Sequence, residues 1–308
     1  MKKKMLSFVS LGLVCIPLFL SCETNHYAEE AQLNSMVEIP KKIISTTKAA
    51  KLFQNDHTTR LSVIGKTNTS IEDKAIHFNL NSLKDYIERL ETMSIAKNIP
   101  ITGISFIMGS DADGKRTTFI MPSTRNGKLD YQESFTIENG QFLTFKHIQR
   151  FITPKNISVN DENLILSPNG YITYNEASTL FNKYETKYIQ PFAAQVTRDY
   201  YTKAVWYSLA EIKEYISYLK KKSDQHQLQI TGIDVFFGVY DTNPDLELKS
   251  NAQTVFLTAS SHKKSIINTK NTTLKNLIQN GFSAKDDVSD ESEQFTFNEG
   301  ELSPPPKN

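Results

Sequence analysis

The sequence predicts an α+β fold made of two tandem homologous modules, each an antiparallel sheet packed by helices on one face. Three observations lead there. Two stretches of the 308-residue chain match at a fixed offset. Each carries a segment with helical apolar spacing. Each then continues into alternating apolar runs separated by turn residues.

The repeat is clearest where Ala75-Ile-His-Phe-Asn-Leu-Asn-Ser-Leu-Lys-Asp-Tyr-Ile87 aligns with Ala204-Val-Trp-Tyr-Ser-Leu-Ala-Glu-Ile-Lys-Glu-Tyr-Ile216, an offset of 129 residues. The same offset relates Ile101-Thr-Gly-Ile104 to Ile230-Thr-Gly-Ile233 and Gly109 to Gly238. Upstream, Ile44-Ser45, Ala49 and Leu52-Phe53 pair with Ile172-Thr173, Ala177 and Leu180-Phe181. Downstream, Thr117–Ile120 pairs with Thr254–Leu257, and Phe135-Thr136 with Phe295-Thr296, after insertions in the second copy. The modules are therefore placed at 41–145 and 169–302, joined by a linker at 146–168.

Within each module a short helix starts near Ser45 or Thr173. A longer one follows, at about Ser82–Lys97 and Leu209–His226. Leu209, Ile212, Tyr215, Ile216 and Leu219 fall on one helical face, as do Leu80, Leu83, Tyr86, Ile87 and Leu90. Ser208 and Glu211 have capping-box spacing, which satisfies amides left open at a helix start. Ile104, Phe106 and Met108 then alternate as a strand, matched by Ile233, Val235, Phe237 and Val239. Asp113-Gly114 reads as the turn into a second strand at Thr117–Met121, and Phe135–Ile137 and Phe295–Phe297 as short third strands. Gly103 and Gly232 hold matching places at strand entry, as do Gly109 and Gly238 at strand exit, which points to a backbone requirement such as a bulge or a close approach. The stretch 265–293 is a polar, acidic insertion, and 303–308 a proline-stiffened tail.

The first residues read differently. Lys2-Lys-Lys4 precedes an apolar run from Met5 to Leu20, which ends at Ser21-Cys22. A basic start, an apolar run too short to span hydrocarbon and a small residue at the end make a signal peptide over 1–21. Leu18-Phe-Leu-Ser-Cys22 resembles the lipobox of bacterial lipoproteins, with Phe19 where that family prefers Leu. The resemblance implies that Cys22 carries lipid, that 22–40 is a tether, and that the chain is anchored in the cell envelope through acylated Cys22. Glu23 lacks the Asp that resembles an inner-membrane retention signal in some bacteria, so the outer membrane is the expected side.

Charge and cysteine content narrow the function classes. Without Lys2, Lys3 and Lys4, the 35 basic residues fall to 32 against 34 acidic, a charge of −2. That balance offers no footprint for nucleic acid. Cys22 is the one cysteine left after cleavage, so no disulfide forms within one mature chain.

Motifs of chemistry are sparse. The six histidines, at 26, 57, 77, 147, 226 and 262, form no metal-binding pair on a helix face. Asp111-Ala-Asp-Gly114 starts like a calcium loop but has Pro122 where the loop needs Glu. No nucleophile elbow and no phosphate-binding glycine loop occur. No catalytic residue, metal or cofactor is expected. Ten of the thirteen tyrosines lie between Tyr171 and Tyr240 together with Trp206. Core packing is one use for such rings; a ligand-facing cluster of Trp206, Tyr200 and Tyr201 is the other.

The Thr-Gly-Ile entry into a strand, followed by a Thr-x-Phe strand, resembles uncharacterised modules of exported proteins of the Bacteroidota type. That likeness implies a structure and no activity. The expected role is a non-enzymatic binding or assembly function towards an envelope protein or glycan, with a hydrolase acting on envelope or extracellular polymers as the alternative.

Overall fold

The computed structural model describes residues 38–65, 75–125, 132–138, 141–145, 172–196, 198, 201–226, 229–242, 249–260, 295–298 and 300–303. The expected signal peptide at 1–21, Cys22, the linker 146–168, the insertion 265–293, Tyr200 and nearly all of the tail lie outside them.

The class is α+β, with two antiparallel sheets. The first half begins with β1 (Ile43–Ile44) and α1 (Thr46–Asn55), which runs on as a π-helical turn at Asp56–Leu61. Then come β2 (Ala75–Asn79), α2 (Leu80–Lys97), β3 (Ile101–Ser110), β4 (Arg116–Arg125), β5 (Gln132–Glu138) and β6 (Gln141–Thr144). The second half follows a similar order, without an opening strand and with an added short helix. It has α3 (Tyr174–Tyr184) with a π-helical turn at Glu185–Ile189, a short α4 (Gln190–Ala193), β7 (Ala204–Ser208), α5 (Leu209–His226), β8 (Gly232–Val239), β9 (Gln253–Ser260), β10 (Thr296–Phe297) and β11 (Glu301–Ser303).

Local chemistry sets the helix ends. Ser45 caps α1 by accepting from the Lys48 amide at 3.2 Å. Asn79 caps α2 through the Ser82 amide at 3.0 Å, so this helix starts two residues before the expected Ser82. Asn98, at φ 51°, ends α2 in the left-handed conformation that asparagine tolerates. The Ser208–Glu211 capping box is formed, with the Ser208 amide donating to Glu211 Oε2 at 2.9 Å and the Glu211 amide to Ser208 Oγ at 3.2 Å. Thr173 and Glu176 build another at the start of α3. Each such cap contributes about 1 kcal/mol. The Asp111–Lys115 segment is a hairpin turn, closed by the Lys115 amide on Asp111 Oδ1 at 2.8 Å, with Gly114 at φ 83°.

The sheets do not follow the division at residues 41–145 and 169–302. One has the order β1-β10-β9-β8-β2 and the other β11-β7-β3-β4-β5-β6. In neither half does the strand before the long helix pair with the strand after it. Instead β2 pairs with β8, and β7 with β3. The short helices cross over as well: α1 lies on β8 and α3 on β3. Gly238 and Gly109 make room for them, since a Cβ there would meet Leu52 Cβ at 3.0 Å and Leu180 Cβ at 3.2 Å. The expectation of a separate sheet per module therefore gives way to two sheets, each built from both halves. The described residues all fall in one compact unit.

The core explains why the exchange holds. A run of rings passes from Phe78 on β2 to Phe106 on β3 (6.0 Å), Tyr207 on β7 (5.9 Å), Phe297 on β10 (5.2 Å) and Tyr215 on α5 (4.7 Å). It touches both sheets and both halves. Each such ring pair adds about 0.5–1.5 kcal/mol beyond simple burial. Helices α2 and α5 pack against each other, tied at the surface by Lys213 and Glu91 at 2.8 Å. A smaller apolar cluster of Ile107, Phe119, Met121, Phe145, Ala177, Phe181 and Ala204 seats α3 on the second sheet.

Candidate functional site

Trp206 stands on β7, opposite Ser105 of β3. Its ring lies over Gly103, and its Nε1 is buried with no hydrogen-bond partner among the described residues. With 9% exposure it is not a surface platform. Tyr201 is half-buried, edge-on to Phe192 at 6.1 Å, and its hydroxyl donates to the Val196 carbonyl at 2.6 Å. The two side chains thus have different surroundings. Tyr184, Tyr207 and Tyr215 are fully buried, so much of the tyrosine enrichment is core.

The residue matching Trp206 in the first half is His77, and it lies over Gly232 as Trp206 lies over Gly103. This explains the paired glycines: each gives way to a ring on the exchanged strand. His77 meets Asp234 Oδ1 at 2.8 Å and Ser260 Oγ at 3.2 Å. A Ser, His and Asp set invites comparison with a nucleophilic triad. Here both partners approach the same nitrogen, Nδ1, whereas a triad needs the serine on the nitrogen opposite the carboxylate. The grouping ties β2, β8 and β9 together.

The Asp234 hydrogen bond raises the His77 pKa, against partial desolvation that lowers it. A raised folded pKa means that the pair stabilises the fold most fully below the unfolded value, about 6.5, and that this is lost as pH climbs through the folded value. The His77 side chain is 44% exposed, so solvent screens the effect to a few tenths of a kcal/mol, about that of a surface pair. The gap in denaturation midpoint between wild type and His77→Gln should shrink as pH rises. A gap independent of pH would remove the pair from the account.

A more unusual cluster sits where the first π-helical turn meets β4, α3 and α4. Asp56 and Arg116 form a buried two-pronged ion pair, with Nη1 to Oδ1 at 3.0 Å and Nη2 to Oδ2 at 2.7 Å. Arg116 also lies over the Phe237 ring at 4.3 Å. Burial pulls the Arg116 pKa down, but the charge and hydrogen bond of Asp56 more than offset this and raise it. Tyr184 stacks beside them, donates to Gln253 Oε1 at 2.9 Å, and is pushed up to about 12 by burial. Arg60 is 6% exposed and lies over Phe192 at 4.3 Å. Its Nε has no hydrogen-bond partner among the described residues, and burial lowers its pKa. Arg198 approaches the same ring at 5.9 Å and donates to the Asn251 carbonyl.

None of these four charged residues stands out from sequence motifs. In the repeat, Arg60 stands opposite Tyr188, seven places beyond the match of Phe53 with Phe181.

Among the described residues no helix is long and apolar enough to cross a membrane, and no group of three or more His, Cys, Asp or Glu side chains comes together as a metal site. Comparisons with family profiles, with curated protein sequences and with solved structures each return no match.

Proposed function

We propose that the chain is a lipid-anchored protein of the bacterial cell envelope, more specifically of the outer membrane, with a non-enzymatic binding or assembly role towards an envelope protein or glycan. The observation that carries the anchor is the apolar run from Met5 to Leu20 ending at Ser21-Cys22 behind three lysines. Acyl chains on Cys22 would hold it at ~0.8 kcal/mol per buried methylene.

The wiring of the polar side chains supports binding over catalysis. The one His, Asp and Ser grouping described shares a single nitrogen, and several carboxylates are spent on structure. Asp56 holds Arg116, Glu185 holds Lys203 at 2.5 Å, and Asp241 holds Lys51 at 2.7 Å. We read the folded part as a tandem duplication whose halves exchanged strands, which presents one rigid body on the tether.

Replacing Cys22 with Ala tests the anchor. Incorporation of labelled palmitate should fall to background, and the protein should leave the membrane fraction or accumulate as the longer precursor. Undiminished labelling of the variant would refute lipid attachment at this residue.

A further inference from the structure

The two exchanged strands are finished differently. In sequence, Ala75-Ile76-His77 of β2 matches Ala204-Val205-Trp206 of β7. Each strand gives one edge to the other half, β2 to β8 and β7 to β3. On its second edge β7 receives β11, antiparallel, with Glu301 opposite Trp206, Leu302 opposite Val205 and Ser303 opposite Ala204. Strand β2 ends its sheet, and among the described residues no strand lies on its second edge. Burial follows the difference. Ala204, Val205 and Trp206 are buried, whereas Ala75 and Ile76 are half-buried and His77 is exposed.

The cause lies in the last strand of each half. Gln141-Phe142-Leu143 of β6 matches Glu301-Leu302-Ser303 of β11, each directly after a matched glycine, Gly140 or Gly300. Strand β6 folds back onto β5. Strand β11 cannot do the same on β10, because β1 and β9 take the two edges of β10, and it pairs with β7 instead. The strand that corresponds to the cover of β7 is therefore spent on β5 in the first half. The outward groups of β2 follow from its ladder. The Leu80 amide donates to the Thr231 carbonyl at 3.0 Å, in register with the β2–β8 pairing. Antiparallel pairs alternate, so Ile76 and Phe78 turn their N–H and C=O towards β8, and those of Ala75 and His77 point outward. On β7 the same count starts from the Met108 amide on the Lys203 carbonyl at 2.9 Å, and it sends those of Ala204 and Trp206 towards Ser303 and Glu301. Ala75–His77 has neither the Lys nor the Pro that commonly guards an edge.

We propose that the outer edge of β2 takes one strand of a partner polypeptide, antiparallel, in the place that β11 holds on β7. The segment it fits is short and extended, with a leucine-sized apolar side chain between two polar residues, as in Glu301-Leu302-Ser303. Main-chain hydrogen bonds to Ala75 and His77 hold such a strand, and the apolar side chain sets its register. That side chain falls opposite Ile76, which packs at the margin of the main core, where Leu302 is buried in the template. The β2 of a second copy fits less well, since its Ile76 is already packed against its own core.

The inference rests on the binding reading and names a protein strand, rather than a glycan, as the partner. A glycan ligand found for a chain that ignores the peptide below would leave that reading standing and remove this one. The probe is a fluorescein-labelled peptide with the sequence of residues 298–304, titrated with the full chain in detergent and followed by anisotropy. Saturable binding is expected, with a dissociation constant of about 0.1–1 mM, as suits a few hydrogen bonds and one apolar side chain. Ala75→Pro removes one outward N–H at the first residue of an edge strand, where proline is tolerated. It should weaken binding about tenfold and leave the melting temperature within a few degrees of wild type. Methylating the peptide nitrogens in the places of Glu301 and Ser303 should abolish binding, whereas methylating the one in the place of Leu302, which faces away, should not. These two peptides decide the matter if Ala75→Pro does not fold. No binding to the wild type overturns the proposal. So does binding undiminished by Ala75→Pro or by the double methylation, which would place the peptide elsewhere. A dimer of the chain alone that Ala75→Pro dissolves would put a second copy on this edge and overturn it too.

Discussion

Asp56→Asn should destabilise the folded chain by about 3–5 kcal/mol, the usual consequence of leaving a buried charge without its partner. Asp56 is 2% exposed and Arg116 7%, so water does not replace the lost carboxylate. Asparagine keeps the shape and one acceptor oxygen, which isolates the charge as the cause. The loss extends beyond Arg116, because Asp56 also acts attractively on Arg60 across the cluster. The second half shows a neutral arrangement: where β4 begins with Arg116, β9 begins with Gln253. Adding Arg116→Gln to Asp56→Asn should therefore recover part of the stability. Urea unfolding of the two single variants and the double measures the coupling. A cost under about 1 kcal/mol for Asp56→Asn would mean that the ion pair is solvated or dispensable, contrary to the buried setting described.

The second large effect is expected at Gly103. A Cβ there would fall 2.2 Å from the Tyr207 carbonyl oxygen and 2.5 Å from Trp206 Nε1. The first is backbone, in the strand pairing that joins the halves, so Gly103→Ala must push β7 away from β3. We expect a loss of about 3 kcal/mol. Trp206→Ala should not restore it, because the carbonyl remains. At Gly232 the nearest atoms belong to side chains: His77 Cε1 at 2.0 Å and Ser260 Oγ at 2.8 Å. A ring at a half-exposed position can swing aside. Gly232→Ala should then cost less, and His77→Ala should relieve most of it. Thermal unfolding of the four variants decides the matter: equal costs at the two glycines, or rescue of Gly103→Ala by Trp206→Ala, would contradict the carbonyl contact as the cause.

What was legible in the sequence was local. Helix α5 and its Ser208–Glu211 cap follow from spacing and hydrogen-bonding groups within a few residues, and so do β3, β4 and the turn at Gly114. The five-residue strands β2 and β7 were not, because each runs straight into a helix whose period masks a short alternation. Their partners were beyond reach for a different reason. His77 and Asp234 meet across 157 positions, and nothing in either local pattern says which half supplies the neighbour. The matched glycines came nearest, since Gly103 and Gly232 pointed to a bulge or a close approach without naming what approached. The π-helical turns leave no mark in apolar spacing, so no local pattern singles out Arg60. The aromatic count was ambiguous by nature: a ring suits a core or a ligand equally, and burial decided for Tyr184, Tyr207 and Tyr215.

The exchange of strands also governs when this chain can fold. A growing or emerging polypeptide has β2 and β3 long before β8 and β7 exist to receive them. Strand β1, near the start, waits for β10 at residues 296–297. Pairings so distant along the chain form slowly, because long loops must close before any contact compensates. An incomplete chain has no sheet that it can finish by itself. On the anchored-lipoprotein reading, that delay keeps the polypeptide threadable until nearly all of it has crossed, and leaves the final collapse to the far side of the membrane.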